Sequence, residues 1–312
     1  MNCSCSMTDS FGRRITDVRI AVNSACNLNC VYCHREGEGD NGCMRSSSES
    51  RLSADDLGEI SGYLAELGVT TIKITGGEPL LSPDICDIIR AIPSSVEVSM
   101  TTNGTLLAEK AAELKAAGLS RVNISIDSLK PERYQRITGR DMLDKVLKGL
   151  DAAVSAGLTP VKINMVLLPG INDDEIDDFI AFVRGKDDII LQVIELMDMN
   201  GWADAVPSSA GRSAEILEKL EERLKSEADE VVTRRMHHRR KYYLEGAAIE
   251  IVRPMHNAEF CMNCNRLRIT SDKCLKPCLL RTGNEISLEG LHGDEILSAI
   301  AKAVAEREPY FT

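Results

Sequence analysis

From Asp17 to about Met197 the chain repeats one pattern: a short β-branched run, an amphipathic stretch at helical spacing, then the next run. Two parallel strands need a crossover of a dozen or more residues between them, usually a helix, so this alternation is what a series of βα units looks like in sequence. The predicted strands are 18–22, 71–75, 96–101, 121–126, 161–167 and 189–195, six units in all. The stretches between them carry helix punctuation. Ser53 stands as an N-cap with Asp56 in the first turn, Leu57, Ile60, Leu64 and Leu67 recur on one face, and Gly68 ends the run. Gly118 closes a similar stretch bearing Leu107, Ala111 and Leu114, and Gly157 another bearing Val146, Leu150 and Val154. The repetition favours an α/β chain curved into a partial (β/α)6 TIM-type barrel over a bundle or a sandwich. In such folds active groups gather at the carboxyl ends of the strands.

Past Met197 the pattern breaks into a polar loop, a helix near 213–228, strand-like runs at 230–233 and 247–252, and a cysteine-rich loop. The expected organisation is a flexible N-terminal tail over 1–14, the barrel over 15–200 and a C-terminal extension over 201–312. Residues 234–241 hold five Arg or Lys and the pair His237–His238, a charge run expected as the solvated face of a hairpin.

With 312 residues, 43% of them hydrophobic, the chain can bury a sizeable core. No apolar run approaches membrane-spanning length and the start, Met1 to Asp9, is polar, so a soluble cytoplasmic protein is expected. A net charge of −11 argues against a general nucleic-acid surface. Eleven cysteines, most of them in two tight groups near opposite ends, point to metal rather than disulfides. Cys86 and Cys43 read as packed thiols, and Cys3 and Cys5 fall in the tail.

The first group, Cys26, Cys30 and Cys33, places three thiols in one short loop after the first strand. Three ligands on a four-iron cube leave one iron open for chemistry, as catalytic zinc sites withhold one ligand. A structural zinc would need a fourth ligand, and His34, adjacent to Cys33, is poorly spaced to close the same tetrahedron. Gly76-Gly77-Glu78-Pro79, after the second strand, reads as a turn whose glycines let backbone approach a ligand and whose proline stiffens the exit; no phosphate-loop pattern occurs. The second group, Cys261, Cys264 and Cys278, is again one ligand short. Cys274 rivals Cys278, and all four could hold zinc or a fully ligated cluster.

CxxxCxxC after the first strand followed by Gly-Gly-Glu-Pro after the second resembles the radical S-adenosylmethionine (SAM) superfamily. The resemblance implies a 4Fe–4S cluster on Cys26, Cys30 and Cys33 whose open iron chelates SAM, one electron then releasing a 5′-deoxyadenosyl radical. It also implies SAM contacts from Gly76, Gly77, Glu78, Thr102, Asn103, Ser125 and Met197, with Tyr32 beside the adenine. The run from Phe260 to Leu279 is similar to the C-terminal motif of the molybdenum cofactor biosynthesis protein A family, the GTP 3′,8-cyclases, as are Asp17-Val-Arg19, Ser125-Ile-Asp127-Ser128 and Ile194-Glu195-Leu-Met197-Asp198. This second resemblance implies another 4Fe–4S cluster on Cys261, Cys264 and Cys278, GTP as substrate, and a low-potential ferredoxin or flavodoxin as electron donor; a homodimer is compatible with it. Arg19, Arg266 and Arg268 are implied as catalytic, and with Lys73 and Lys162 as substrate-binding.

A nucleoside triphosphate brings about four negative charges that need desolvated cations. Arg266 and Arg268 stand two apart, so an extended segment puts them on one face, and a Lys inside an apolar parallel strand, as at 162, usually points at something. Two departures from the family pattern stand out. Gln192 and Thr71 occupy positions that are usually basic, with Arg235 or Arg239 as replacements, and the chain ends at Thr312 without a Gly-Gly tail. The alternatives are a radical SAM enzyme with an auxiliary cluster acting on a peptide or other small molecule, and a non-catalytic Fe–S or zinc protein.

Overall fold

The computed structural model describes residues 6–34, 52–197 and 209–310; Cys3, Cys5, Cys43, Asp198 and Thr312 lie outside them. The predicted strands form as β1 (Asp17–Ala21), β2 (Thr71–Thr75), β3 (Glu97–Thr102), β4 (Arg121–Ser125), β5 (Val161–Leu167) and β6 (Ile189–Glu195). Each pairs in parallel with the next. Between them run α1 (Ala54–Glu66), α2 (Ile85–Ala91), α3 (Leu107–Ala117), α4 (Pro131–Thr138), α5 (Leu143–Ser155) and α6 (Ile176–Val183). The cap read at Ser53 is a full capping box: its hydroxyl accepts from the Asp56 amide at 3.1 Å while the Asp56 carboxylate accepts from the Ser53 amide at 2.9 Å. Gly118 ends α3 in the left-handed region, φ 109°.

The extension, α7 (Ser209–Glu227) onward, enlarges this sheet at both edges. Beside β6 lie β9 (Ala247–Val252), β8 (Arg240–Leu244) and β7 (Glu230–Thr233); beside β1 lie β10 (Arg266–Ile269), β11 (Cys274–Lys276) and β12 (Ile286–Ser287). β9 and β10 join in parallel, the outer strands antiparallel. The result is an α/β fold with a mixed sheet, a central core and a C-terminal extension that also carries α8 (Ala258–Met262) and α9 (Asp294–Ala305). Sequence patterning found β7 and β9 but missed β8, β10 and β11, whose short runs carry Arg, Lys and Cys rather than unbroken β-branched residues, and β12, which is only two residues long. The expected solvated hairpin face over 234–241 is corrected: β8 begins at Arg240, and the Arg239 side chain is 15% exposed.

Residues 6–14, expected as part of a flexible tail, are anchored to the fold at Met7, Asp9 and Arg13, which are buried, while the others are exposed. Met7 joins the core, its carbonyl accepts from the Ile15 amide at 2.7 Å, and Thr8 bridges Arg14. Among the described residues no helix is long and apolar enough to cross a membrane.

The two faces of the central strands differ. On one, Val18, Ile20, Ile72, Ile74, Val98, Met100, Val122, Ile124, Ile163 and Met165 are buried in a core with Leu57, Leu64, Leu114 and Val146 of the helices. Each such side chain contributes about 1.5–3 kcal/mol of burial. The alternate positions are Arg19, Lys73, Ser99, Asn123, Lys162, Asn164 and Gln192, and most of these are buried too. Strands of a parallel sheet covered on both faces normally read as continuous apolar runs. Burying a polar face instead is unfavourable unless its groups are bonded to one another or to a ligand, which places the site on this face.

Candidate active site

The polar face lines a cavity of about 430 Å³, with side chains from every strand of β1 to β6 except β3's Ser99, and from β10 and the segment before β8. Thr101 and Thr102 represent β3 there. Of the residues assigned to clusters, SAM or GTP, all but Glu78 line it: Cys26, Cys30, Tyr32, Cys33, Gly76, Gly77, Thr102, Asn103, Ser125 and Met197, and Arg19, Lys73, Lys162, Arg266, Arg268, Cys261, Cys264 and Cys278. Gly76, Thr102, Ser125 and Met197 all sit at or just past strand carboxyl ends.

Strand register puts the cations shoulder to shoulder. Arg268 on β10 is opposite Arg19 on β1, which is opposite Lys73 on β2. Like charges directly across neighbouring strands are destabilising. Burial, then Arg19, Arg121 and Arg266, holds the Lys73 ammonium well below its ordinary pKa, and Lys73 donates to Asn123 Oδ1 at 3.1 Å. Asp17 balances part of this charge. Burial works to raise its pKa, but the Arg266 guanidinium bonded to it and Lys73 outweigh that and bring it to about 2. Thr71 donates to Asp17 at 3.0 Å.

A second cation group surrounds Glu250, wholly buried on β9. Lys162 Nζ donates to both its oxygens at 2.8 Å, Gln192 Nε2 at 2.5 Å and Arg234 Nη1 at 2.7 Å, with Arg239 Nη1 3.7 Å away. Burial opposes ionisation of this carboxyl, yet Lys162, Arg239 and Arg234 hold it well below the carboxylate range. Gln192 is thus a ligand of Glu250, and of the two replacements considered Arg239 lines the cavity while Arg235 is exposed. Four buried polar atoms of cavity-lining residues, Thr101 Oγ1, Asn164 Oδ1, His237 Nδ1 and Arg239 Nε, have no hydrogen-bond partner among the described residues. Such atoms mark where a ligand would supply the bonds.

The first cysteine loop rests on neutral contacts. Gly77 N donates to Asn23 O at 2.8 Å and Glu78 N to Ala25 O at 2.7 Å, while Asn29 N and Val31 N donate to Thr138 O and Ile137 O at the end of α4, each at 2.9 Å. A Cβ on Gly77 would stand 2.2 Å from Ala25 O, and one on Gly76 2.5 Å from Asn23 O. The glycines therefore permit the close approach of this chain's own cysteine loop, a packing partner that the sequence did not reveal. Glu78 is wholly buried and accepts from Thr102 Oγ1 at 2.6 Å, Asn103 N at 2.7 Å and Leu80 N at 3.0 Å. It reaches the cavity only through Thr102 and Asn103, which it fixes. Tyr32 Oη donates to Asp127 Oδ2 at 2.6 Å, and burial raises Asp127 to about 6. Cys26 and Cys33 are exposed. Burial pushes the Cys30 thiol up, and Asp127 and then the neighbouring Cys33 and Cys26 add to it.

Of the second group, Cys261, Cys264 and Cys278 are partly buried and line the cavity. Cys274 is buried on β11, its thiol 3.7 Å from Asp272 O, and does not line it. Among the described residues no three His, Cys, Asp or Glu side chains converge as ligands of a single metal ion would. Beside this loop His237 stacks on Phe260, ring centroids 3.8 Å apart. Sequence reasoning assigned no role to Asp127, Glu250, Arg234 or His237. Two carried a signal: Asp127 lies inside the quoted Ser-Ile-Asp-Ser motif, and Glu250 is the one charge in an apolar strand.

Two family models match in succession, one described as Radical SAM superfamily over residues 20–183 and one described as Molybdenum Cofactor Synthesis C over residues 189–312. At 16% identity the fold is shared with Streptococcus suis SuiB, at a TM-score of 0.61 over 85% of this chain and 60% of that one, so the chain spans about three fifths of SuiB. It is shared, also at 16% identity, with native anSMEcpe with bound AdoMet, at 0.63 over 94% and 81%. Fold and family match together define a radical SAM protein. Relatives named "Probable GTP 3′,8-cyclase" are 50% identical in Methanocella arvoryzae, covering 98% of this chain and 94% of the relative, 46% in Archaeoglobus fulgidus, covering 98% and 99%, and 44% in Pyrococcus abyssi, covering 98% and 100%. The chain belongs to the GTP 3′,8-cyclase family of the radical SAM superfamily.

Proposed function

We propose that this chain is a GTP 3′,8-cyclase, a lyase that uses SAM to convert GTP to (8S)-3′,8-cyclo-7,8-dihydroguanosine 5′-triphosphate in the first step of molybdenum cofactor biosynthesis. The observation that carries the reading is one cavity bounded by two cysteine triplets and a polar strand face with Arg268, Arg19 and Lys73 in register. Cys26, Cys30 and Cys33 would hold one 4Fe–4S cluster, and Cys261, Cys264 and Cys278 the other, each set leaving one iron unligated by protein. The donors fit: three thiols per set, none of them in a disulfide, each set on the cavity wall. A cube spreads its thiolates over separate irons and does not ask three side chains to converge on one ion.

When bound, the first cluster and SAM would supply, on receiving one electron, a deoxyadenosyl radical that takes hydrogen from C3′ of GTP and leaves as 5′-deoxyadenosine; closure of C3′ on C8 then needs one further electron, which the second cluster would pass on, and a proton to give a product isobaric with GTP. This chain's residues bind, orient and exclude water, so that a primary radical meets only its intended hydrogen. Gly76, Gly77, Thr102, Asn103, Ser125, Met197 and Tyr32 are assigned to SAM, with Glu78 now a positioning residue behind Thr102 and Asn103. Arg19, Lys73, Lys162, Arg266 and Arg268 are assigned to GTP, with Arg234 and Arg239 added because they share Glu250 with Lys162. Side chains from all six core strands reaching one cavity support a partial (β/α)6 barrel over 15–200, with 201–312 as its extension. Reduction of the first cluster is assigned to a low-potential ferredoxin or flavodoxin.

The test is anaerobic. The reconstituted protein, reduced with dithionite and given SAM and GTP, is expected to yield 5′-deoxyadenosine and a product isobaric with GTP, seen by mass spectrometry. Deoxyadenosine with no GTP-derived product would overturn the substrate.

A further inference from the structure

The segments at the two ends of the chain meet on the second cysteine loop. The Asp9 carboxylate, wholly buried, accepts from Arg13 Nε at 2.7 Å and from Arg307 Nη1 at 3.1 Å, although 298 residues separate Asp9 from Arg307. Both guanidiniums are nearly buried, at 6% and 3% exposure. Their other hydrogen bonds go to backbone carbonyls of one neighbourhood. Arg13 Nη1 donates to Cys261 O and Pro309 O, each at 2.9 Å, and Arg13 Nη2 to Glu308 O at 2.5 Å; Arg307 Nη2 donates to Cys264 O at 2.8 Å.

Two features go beyond what folding a surface loop requires. The carbonyls gripped are those of Cys261 and Cys264 themselves, the two ends of the tight turn in which Cys264 N donates back to Cys261 O at 3.1 Å. The charge is also unbalanced: two guanidiniums face one carboxylate, leaving one buried positive charge beside three cavity-lining thiols. A buried excess cation is unfavourable unless something anionic offsets it. Thiolates on an iron–sulfur cluster are such an anion.

We propose that Arg13 and Arg307, joined by Asp9, are positioning residues for the second cluster: they fix the spacing of Cys261 and Cys264 through their carbonyls and supply the positive charge that offsets the cluster's thiolates. The same clamp seats residues 308–310 at the cavity wall, where Glu308 and Tyr310 lie, so the second cluster and the C-terminal segment are held by one device. This inference rests on the second cysteine set holding a cluster, as proposed above.

The experiment uses the full chain with Cys26, Cys30 and Cys33 changed to Ala, so that any cluster present is the second. In this background Arg13→Gln and Arg307→Gln are compared with the parent by iron content after anaerobic reconstitution, midpoint potential of the reduced cluster's EPR signal, and amide exchange of residues 261–264 and 308–310 in the apoprotein. The clamp predicts that each substitution lowers iron occupancy at least about twofold or moves the potential more negative, and speeds exchange at both segments together, while Arg13→Lys recovers part of each effect through its single ammonium. Substituted proteins with parental iron, parental potential and parental exchange would overturn the clamp alone. A parent that binds no cluster would overturn the reading of the second cysteine set and this inference with it. If Arg13→Gln fails to fold, Arg13→Lys and Asp9→Asn are read by the same three measurements.

Discussion

The two cysteine loops face the same cavity but are held by opposite means. The first is cradled by short neutral backbone bonds, to Gly77, Glu78 and the end of α4, and needs glycine at 76 and 77 because its own backbone comes so close. The second is gripped from behind by two buried guanidiniums reaching in from residues 13 and 307. A neutral cradle fixes shape without fixing charge, which suits a loop whose Cys26 and Cys33 stay exposed. A charged clamp sets both shape and field, which suits a loop sitting deeper beside Arg266 and Arg268. If the difference is functional, damage to the two loops should separate in kind as well as in degree.

The largest separation is expected from the thiols. Cys30→Ala should reduce 5′-deoxyadenosine formation to background and remove roughly half of the iron, since one of two cubes is lost. Cys278→Ala should also remove roughly half of the iron yet keep deoxyadenosine formation measurable, while the GTP-derived product disappears. Iron analysis with mass spectrometry of both products distinguishes the two. Loss of deoxyadenosine in both variants would mean that the loops do not work separately. Within the second region, Arg268→Ala should lower formation of the GTP product by about a hundredfold, the equivalent of one charge-assisted contact of up to 3 kcal/mol, with little change in SAM cleavage in the absence of GTP. The same variant should be no less stable than the parent by thermal unfolding, because Arg268 stands directly across from Arg19.

How much of this was legible before the structure follows the same divide. The core strands were readable because their helix-facing positions are β-branched or aliphatic and their punctuation is local: Ser53 with Asp56 and the glycine at 118 act within a few residues of themselves. The cysteine triplets were readable because their spacing is itself short-range. The clamp was not, since Asp9, Arg13 and Arg307 look like ordinary charges near chain ends and become a unit only by meeting across the fold. The partners of Glu78 were hidden for a related reason: the motif shows a carboxylate next to a glycine turn, but not that Thr102 and Asn103 come round to bond it. Arg234 was hidden in a charge run whose default is solvent, and Arg239 was read there only as a stand-in for a missing basic position; Glu250, on a strand beside β6, draws both inward.

Glycine substitutions sharpen the contrast at a smaller scale. In Gly77→Ala the new Cβ would meet Ala25 O at 2.2 Å, against backbone that cannot give way without breaking the Gly77–Asn23 and Glu78–Ala25 bonds. A loss of about 3 kcal/mol or more is expected from overpacking and the broken bonds together. Gly283, past Cys278, also has a positive φ, 86°, but nothing lies within 4 Å of its added Cβ. Its alanine variant should lose only the left-handed strain, about 1 kcal/mol. Chemical denaturation of the two apoproteins measures both, and equal losses would show that the first loop is not the more tightly packed.

The smallest expected effect is a pH dependence confined to the first region. Burial raises Asp127, which anchors Tyr32, from 3.8 to about 6. The fold thus prefers the protonated acid. The stability linked to it is complete below the unfolded value of 3.8 and is lost as the pH rises through about 6, by up to about 3 kcal/mol for a shift of this size. Asp127→Asn keeps an acceptor for the Val166 amide, which donates to Oδ1 at 2.9 Å, and offers its own N–H to Tyr32 without ever ionising. Measured as apoprotein between about pH 4 and 8, the parent should lose stability relative to Asp127→Asn as the pH rises from about 4 and level off once it passes about 6. A difference that stays flat across that range would mean that Asp127 ionises freely, and the bond from Tyr32 would then be charge-assisted, making the first loop more like the second than its neutral cradle implies.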